Sequence, residues 1–136
     1  MHVVVDTSVA VAWYVQERFS SSAREWQDRI LEGEVHAMVP PLHFLEFANV
    51  LRTYVRRKEL SAHMARDLYA LHLDAPLDVV EAPRAILFDI AMQYDTTAYD
   101  AAFIGLAVTY QCPLITAERT TTPWVVKLGK QALTLG

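Results

Sequence analysis

Asp6, Glu46, Asp100 and Glu118 each stand where an apolar run of the chain gives way to something polar. Asp6 closes HVVVD, Glu46 follows HAMVPPLHFL, Asp100 opens the apolar stretch YDAAFIGLAV, and Glu118 follows PLITA. In an α/β fold, strand ends along one edge of a parallel sheet converge on a single crevice, and ligands bind there. Carboxylates gathered in one crevice repel. Two unit charges about 4 Å apart cost roughly 4 kcal/mol at an effective dielectric of about 20. A cation has to offset that, and an oxygen-rich, cysteine-free donor set suits Mg²⁺ or Mn²⁺. The chemistry implied is metal-assisted cleavage of a phosphodiester.

Taken singly, each acid has a local explanation. Asp6 could cap a helix, and Asp100 could complete a capping box with Thr97. Glu118, in TAERTTT, could be a solvated loop residue. Glu46 lies on a helix whose Leu45, Phe47, Ala48, Leu51 and Val55 are read as core-facing. At roughly 100° per residue, Thr53 and Arg57 fall within about 20° of Glu46, and His43 and Asn49 flank it, making a polar stripe. Asp100 is surrounded in sequence by Tyr99, Ala101, Ala102, Phe103 and Ile104, so its carboxylate is expected where water is scarce and where a charge needs a partner. Four acids at four separate junctions make a topological signal rather than a short motif. Other chemistries lack their parts. The chain has four dispersed glycines and no Gly-rich phosphate loop. It has no G-x-S-x-G elbow. His2, His36, His43, His63 and His72 show no zinc-type spacing and are read as surface or boundary residues.

The elements that must position these acids can be read in order. HVVVD is a short, β-branched, buried strand, after which Asp6, Thr7 and Ser8 can cap a helix VAVAWYVQ. The run Ser20 to Ser22 opens AREWQDRIL, and Gly33 ends it in the left-handed conformation. HAMVP is a second strand and LHFLEFANVLRTYVRRK an amphipathic helix. Ser61 caps HMARDLYALHL, which Pro76 closes off. LDVVEA is a third strand, and Pro83 suits the first turn of RAILFDIAMQY. AAFIGLAVTY is a helix, PLIT a fourth strand, Thr122 and Pro123 the start of WVVKLG, and QALTL a fifth strand. Strands alternating with helices predict an α/β fold with a central parallel sheet of about five strands, doubly wound.

Bulk properties set the frame. The 136 residues predict a single domain spanning 1–136. A hydrophobic content of 53% favours a surface covered by a partner. The net charge of −4 provides no global basic field. The positive charge is uneven, with Arg52, Arg56, Arg57, Lys58 and Arg66 in one stretch that reads either as a solvated helix face or as a phosphate-contacting patch. The lone Cys112 excludes an internal disulfide. With no long apolar span and no leader-like segment, the expectation is a soluble, cytoplasmic protein without a membrane role.

Together, VVVDTSV, PPLHFLEFANVL, TAYDAAFIGLA and PLITAER resemble a PIN-domain ribonuclease, in particular the VapC-like toxins of toxin–antitoxin pairs. The resemblance covers essentially the whole chain. It implies a Mg²⁺- or Mn²⁺-dependent endoribonuclease acting on single-stranded or looped RNA, a cognate antitoxin protein as partner, and a homodimer. By similarity Asp6, Glu46 and Asp100 match the family's metal-binding, catalytic acids. Ser8 matches its small polar residue and Thr116 its late hydroxyl, with Asn49 a further outer donor. Arg52, Arg56 and Arg57 would contact RNA phosphates. The family usually has Asp where this chain has Glu118, so the fourth metal position carries a stem one methylene longer. Two other classes stay open from sequence: a receiver-like regulatory domain, opposed by the Ala117-Glu118-Arg119 ending of the late strand, and a catalytically weak or inactive module acting through partner or nucleic-acid binding.

Overall fold

The computed structural model describes all residues, Met1–Gly136. Its strands are β1 (His2–Val5), β2 (His36–Val39), β3 (Leu77–Val79), β4 (Leu114–Thr116) and β5 (Ala132–Thr134). Its helices are α1 (Thr7–Val11), α2 (Ser20–Leu31), α3 (Leu42–Arg56), α4 (Ala62–Leu73), α5 (Arg84–Gln93), α6 (Ala98–Tyr110) and α7 (Pro123–Leu128), with a 3₁₀ turn over Gly129–Gln131. All strand pairs are parallel, in the order β3-β2-β1-β4-β5. The chain winds outward from β1 in one direction through β2 and β3, then returns to β1's other side with β4 and β5. That reversal puts a topological switch point between β1 and β4, where a crevice must open at the strand C-termini.

Strand side chains alternate between the two faces, and the core divides accordingly. Val3, Val5, Ala37, Val39 and Ile115 pack with α1 to α4 through Val9, Ala23, Phe47, Leu51 and Ala65. Val4, Met38 and Leu114 pack on the opposite face with α5, α6 and α7 through Ile90, Ile104, Leu106, Trp124 and Leu128. The β-branched run HVVV therefore serves both layers, as a strand buried on both faces must.

Helix ends follow local chemistry. Ser61 accepts from the Met64 amide and Thr97 from the Asp100 amide. Gly33, at φ 79°, turns the chain out of α2 into β2 at little cost. Gly105 sits where space is short: a Cβ there would come within 3.3 Å of the Ala82 Cβ where α6 packs down.

Several local readings change. α1 stops at Val11, well short of the predicted VAVAWYVQ, because Trp13 and Tyr14 leave the helix to enter the core and Trp13 bonds the Ala23 carbonyl. Asp6 occupies the N-cap position without a side-chain cap bond, since its carboxylate is engaged elsewhere. Pro83 is itself the N-cap of α5, one residue earlier than the first turn. Leu45 points to solvent, whereas Phe47 and Leu51 are buried. The histidines divide: His43 and His72 are fully buried. Neutral imidazoles can go inside when each nitrogen finds a partner, which spacing alone does not reveal. Cys112 is a buried free thiol, as read.

Candidate active site

The crevice at the switch point is built from the C-termini of β1 and β4 and the starts of α3 and α6. Asp6 follows β1 directly. Glu46 sits in the second turn of α3, Asp100 at the third position of α6, and Glu118 two residues past β4. Three of the four share one electrostatic field. Burial pushes the Asp6 carboxyl up to about 7; the Thr116 hydroxyl draws it back, and the Asp100 and Glu46 charges raise it further. Burial also raises Glu46, opposed by a hydrogen bond from the Thr7 hydroxyl and reinforced by Asp100. Asp6 and Asp100 are both half-buried, and Tyr99 beside Asp100 is exposed. Glu118 is exposed and outside the set that acts on Asp6.

Three of the four acids lean on a threonine hydroxyl. Thr116 Oγ1 donates to Asp6 Oδ2 at 2.7 Å, Thr96 Oγ1 to Asp100 Oδ2 at 2.6 Å, and Thr122 Oγ1 to Glu118 Oε2 at 3.2 Å. Thr116 also accepts from the Glu118 amide at 3.1 Å, so one hydroxyl ties the end of β4 to Asp6. None of the four acids forms an ion pair with the protein's own cations. No three His, Cys, Asp or Glu side chains converge closely enough, as they stand, to hold an ion together. Uncompensated carboxylates relieve their repulsion by turning toward separate hydroxyls, which is the arrangement seen.

The donor set nevertheless fits a hard divalent cation. Asp6, Glu46 and Asp100 offer only oxygen, and their mutual repulsion favours a positive charge among them. Ser8 Oγ, on the first turn of α1, is buried without any hydrogen-bond partner. A buried hydroxyl left unpaired costs about 1–3 kcal/mol, so its placement calls for a partner that the protein does not itself supply. Asn49 is exposed one turn along α3, beside the crevice rather than in it.

The arginines separate. Arg52 and Arg56 line a groove between α3 and α4 together with Arg66 and Tyr69, away from the acids. Arg57 lies on the Glu46 side of α3, in a pocket with Glu17, Tyr54 and Glu59. Two arginines that sequence reading passed over stand closer to the crevice. Arg18 and Arg119, both exposed, line a cleft of about 410 Å³ that begins at Ser8 and includes Val50 and Glu118. Both belong to loops at the C-terminal edge of the sheet, and the topology would have marked them had the loops after β1 and β4 been scanned for cations as they were for acids. Thr96 was also missed, although it lies only four residues before Asp100, and so was Thr7, whose hydroxyl meets His43 36 residues on.

The sequence matches the PIN domain family over residues 3–120. The chain belongs to the PIN domain family. PIN domains are nucleases that generally use divalent metals, which agrees with an oxygen-only crevice. No curated protein matches the sequence significantly. Solved structures share the PIN fold at low identity. PAE2754 from Pyrobaculum aerophilum is 20% identical with a TM-score of 0.72, covering 99% of this chain and 92% of that one. A toxin–antitoxin complex from Klebsiella pneumoniae is 14% identical with a TM-score of 0.60 over 98% of both chains. VapBC2 from Rickettsia felis, bound to a DNA fragment from its promoter, is 10% identical with a TM-score of 0.63, covering 98% and 97%. The five-stranded parallel sheet of this PIN domain is the architecture expected from its sequence. No helix is long and apolar enough to cross a membrane.

Proposed function

We propose that this PIN domain is a Mg²⁺- or Mn²⁺-dependent endoribonuclease that cleaves single-stranded or looped RNA as the toxin of a toxin–antitoxin pair. One observation carries the reading: Asp6, desolvated and pressed by Glu46 and Asp100, has no cation from the protein to balance it. Asp6, Glu46 and Asp100 would hold the ion, with the Ser8 hydroxyl turned to its bound water. A bound divalent ion supplies Lewis-acid stabilisation of phosphoryl oxygens and a water acidic enough to act as nucleophile near neutral pH. Thr116 holds Asp6 in place from β4, and Thr96 holds Asp100 from the turn before α6. Arg18 and Arg119 would receive phosphates of the strand entering the adjoining cleft, contacts that position RNA without reading its sequence. Arg57 could extend that track, whereas Arg52 and Arg56 face another groove.

The Klebsiella and Rickettsia structures are toxin–antitoxin assemblies by description, and this chain shares their fold. Phe88, Met92 and Tyr99, on α5 and α6, are largely exposed, and an apolar face of that kind supports a homodimer.

A catalytically weak binding module is the second reading, and Glu118 is what favours it. Its carboxylate turns to Thr122 rather than into the crevice. Cleavage of a single-stranded RNA with Mg²⁺ or Mn²⁺, compared between wild type and Asp6→Asn, separates the two. A nuclease gives metal-dependent cleavage that Asp6→Asn removes; a binding module gives none from either protein, with RNA or partner binding intact.

A further inference from the structure

The cleft that begins at Ser8 continues the acidic crevice along α3. Val50 and Tyr54 follow Glu46 by four and eight residues, so they stand on nearly the same stripe, about 6 and 12 Å farther along the helix axis. With Val11 and the half-buried Phe19 they make an apolar floor, which Ala117 closes on the β4 side. Arg18 and Arg119, both exposed, border it. At about 410 Å³ the space falls among small-ligand sites, which run from about 300 to 1,000 Å³.

One wall is fixed by hydrogen bonds. Ser20 is fully buried, and its Oγ donates to the Val15 carbonyl at 3.2 Å while accepting from the Glu17 amide at 2.8 Å. These bonds close the turn before α2. Tyr54 Oη donates to Glu17 Oε1 at 2.5 Å and clips that turn to α3. The other Glu17 carboxylate oxygen has no protein partner, and no cation of the chain pairs with it. A half-buried carboxylate is thus held in one place with an oxygen open to a donor.

A phosphate backbone alone fits this cleft poorly. It has no use for an apolar floor, and the carboxylates of Glu17 and Glu118 repel it. A nucleobase has apolar faces that rest on aliphatic and aromatic side chains, and polar edges that hydrogen-bond. The phosphates attached to it would meet Arg18 and Arg119 at the border. An ionised carboxylate can only accept. Cytosine, adenine and guanine offer it amino N–H groups. Uracil offers one imide N–H between two carbonyl oxygens, which a carboxylate repels.

We infer that this cleft is a subsite for the base next to the scissile phosphate, and that Glu17 selects a base carrying an amino group. The inference deepens the nuclease reading and rests on it for the substrate. Tyr54 is a positioning residue, since its hydroxyl holds Glu17 in place.

The test is titration of the metal-free protein, in EDTA, with CMP, UMP and ribose 5-phosphate, read on the ¹³C-methyl resonances of Val11 and Val50. CMP should shift both and bind about tenfold or more tighter than UMP, the worth of one hydrogen bond to a charged group. Ribose 5-phosphate should leave the methyls unmoved. Glu17→Gln, whose amide can donate to uracil, should bring the two affinities together. Tyr54→Phe should narrow the CMP-to-UMP ratio without abolishing CMP binding. Equal wild-type affinity for CMP and UMP, methyls unmoved by CMP up to its solubility, or equal shifts from ribose 5-phosphate overturns the subsite. A CMP preference kept in full by Glu17→Gln overturns the role of Glu17. Base binding by a protein that cleaves no RNA with Mn²⁺ leaves the subsite standing and removes the nuclease reading. Metal-dependent cleavage with no base binding does the reverse.

Discussion

Two polar clusters meet at Thr7, and they are built on opposite principles. On its inner side, His43 and His72 are buried, neutral and fully hydrogen-bonded, each ring nitrogen matched to one partner. On its outer side, Asp6, Glu46 and Asp100 are acids without a cation partner; Asp100 and Glu46 raise Asp6, and Asp100 raises Glu46. The inner cluster resolves the cost of burying polar groups; the outer one leaves it unresolved. A satisfied cluster strengthens the fold whether or not a ligand is present. An unsatisfied one lowers stability until something binds, and in the function proposed above that binding belongs to the crevice rather than to the histidines. Substitutions should therefore act in opposite senses on the two sides.

The largest effect is expected in the crevice. Asp6→Asn, Glu46→Gln and Asp100→Asn should each reduce RNA cleavage to background while leaving the fold intact or more stable, because removing one crowded charge lowers repulsion. Single-turnover cleavage and thermal melting of the same preparations check both halves; full cleavage by the two Asn variants would erase the distinction. In the inner cluster the sign reverses. His72→Ala removes a stacked, doubly bonded ring, leaving a cavity and an unpaired His43 nitrogen, and should destabilise by about 3 kcal/mol or more. Chemical denaturation with an unchanged m-value measures this. A loss below about 1 kcal/mol would mean that the pair is not tightly held.

A smaller effect concerns pH. The Asp6 carboxyl is raised from 3.8 to about 7, so between those values the folded protein binds a proton that the unfolded chain has released. Stability in EDTA should therefore fall as pH rises from about 4 through about 7, by at most about 4 kcal/mol, one pKa unit being worth about 1.4 kcal/mol. Asp6→Asn should flatten that slope. An identical profile for the variant would show that Asp6 is not the group responsible. The smallest effect is at Glu118. Its carboxylate is exposed and turned to Thr122, so Glu118→Ala should be milder than Asp100→Ala, and Glu118→Asp should retain or raise cleavage. Titrating Mn²⁺ and Mg²⁺ in the assay decides this. Equal inactivity of the two alanine variants at saturating metal would make Glu118 a full ligand.

The same contrast explains what the sequence could reveal. Asp6, Glu46 and Asp100 could be picked out as candidates because alternation of strands and helices is written in hydrophobic runs, though only Asp6 follows a strand directly and Asp100 opens a helix that follows α5. Even the short β5 followed from QALTL. His43 and His72 were not legible as a pair, since they lie 29 residues apart on two helices and their burial depends on partners that only packing supplies. Arg52 and Arg56 failed to join the crevice for a simpler reason. They project from α3 roughly a quarter to a third of a turn away from Glu46, toward α4. Among the threonines that hold the acids, Thr116 reaches Asp6 across 110 residues, while Thr96 and Thr122 stand four residues from Asp100 and Glu118.

Calorimetric titration of Mn²⁺ into metal-free protein, beside Asp100→Asn, tests most directly whether the unpaired acids exist to receive a cation. Wild type should bind with measurable heat and melt at a higher temperature as Mn²⁺ rises into the millimolar range, since an ion that binds only the folded state stabilises it by mass action. Asp100→Asn should melt higher than wild type in EDTA yet gain much less from Mn²⁺. No binding heat and an unchanged melting temperature for wild type across the titration would contradict the metal site.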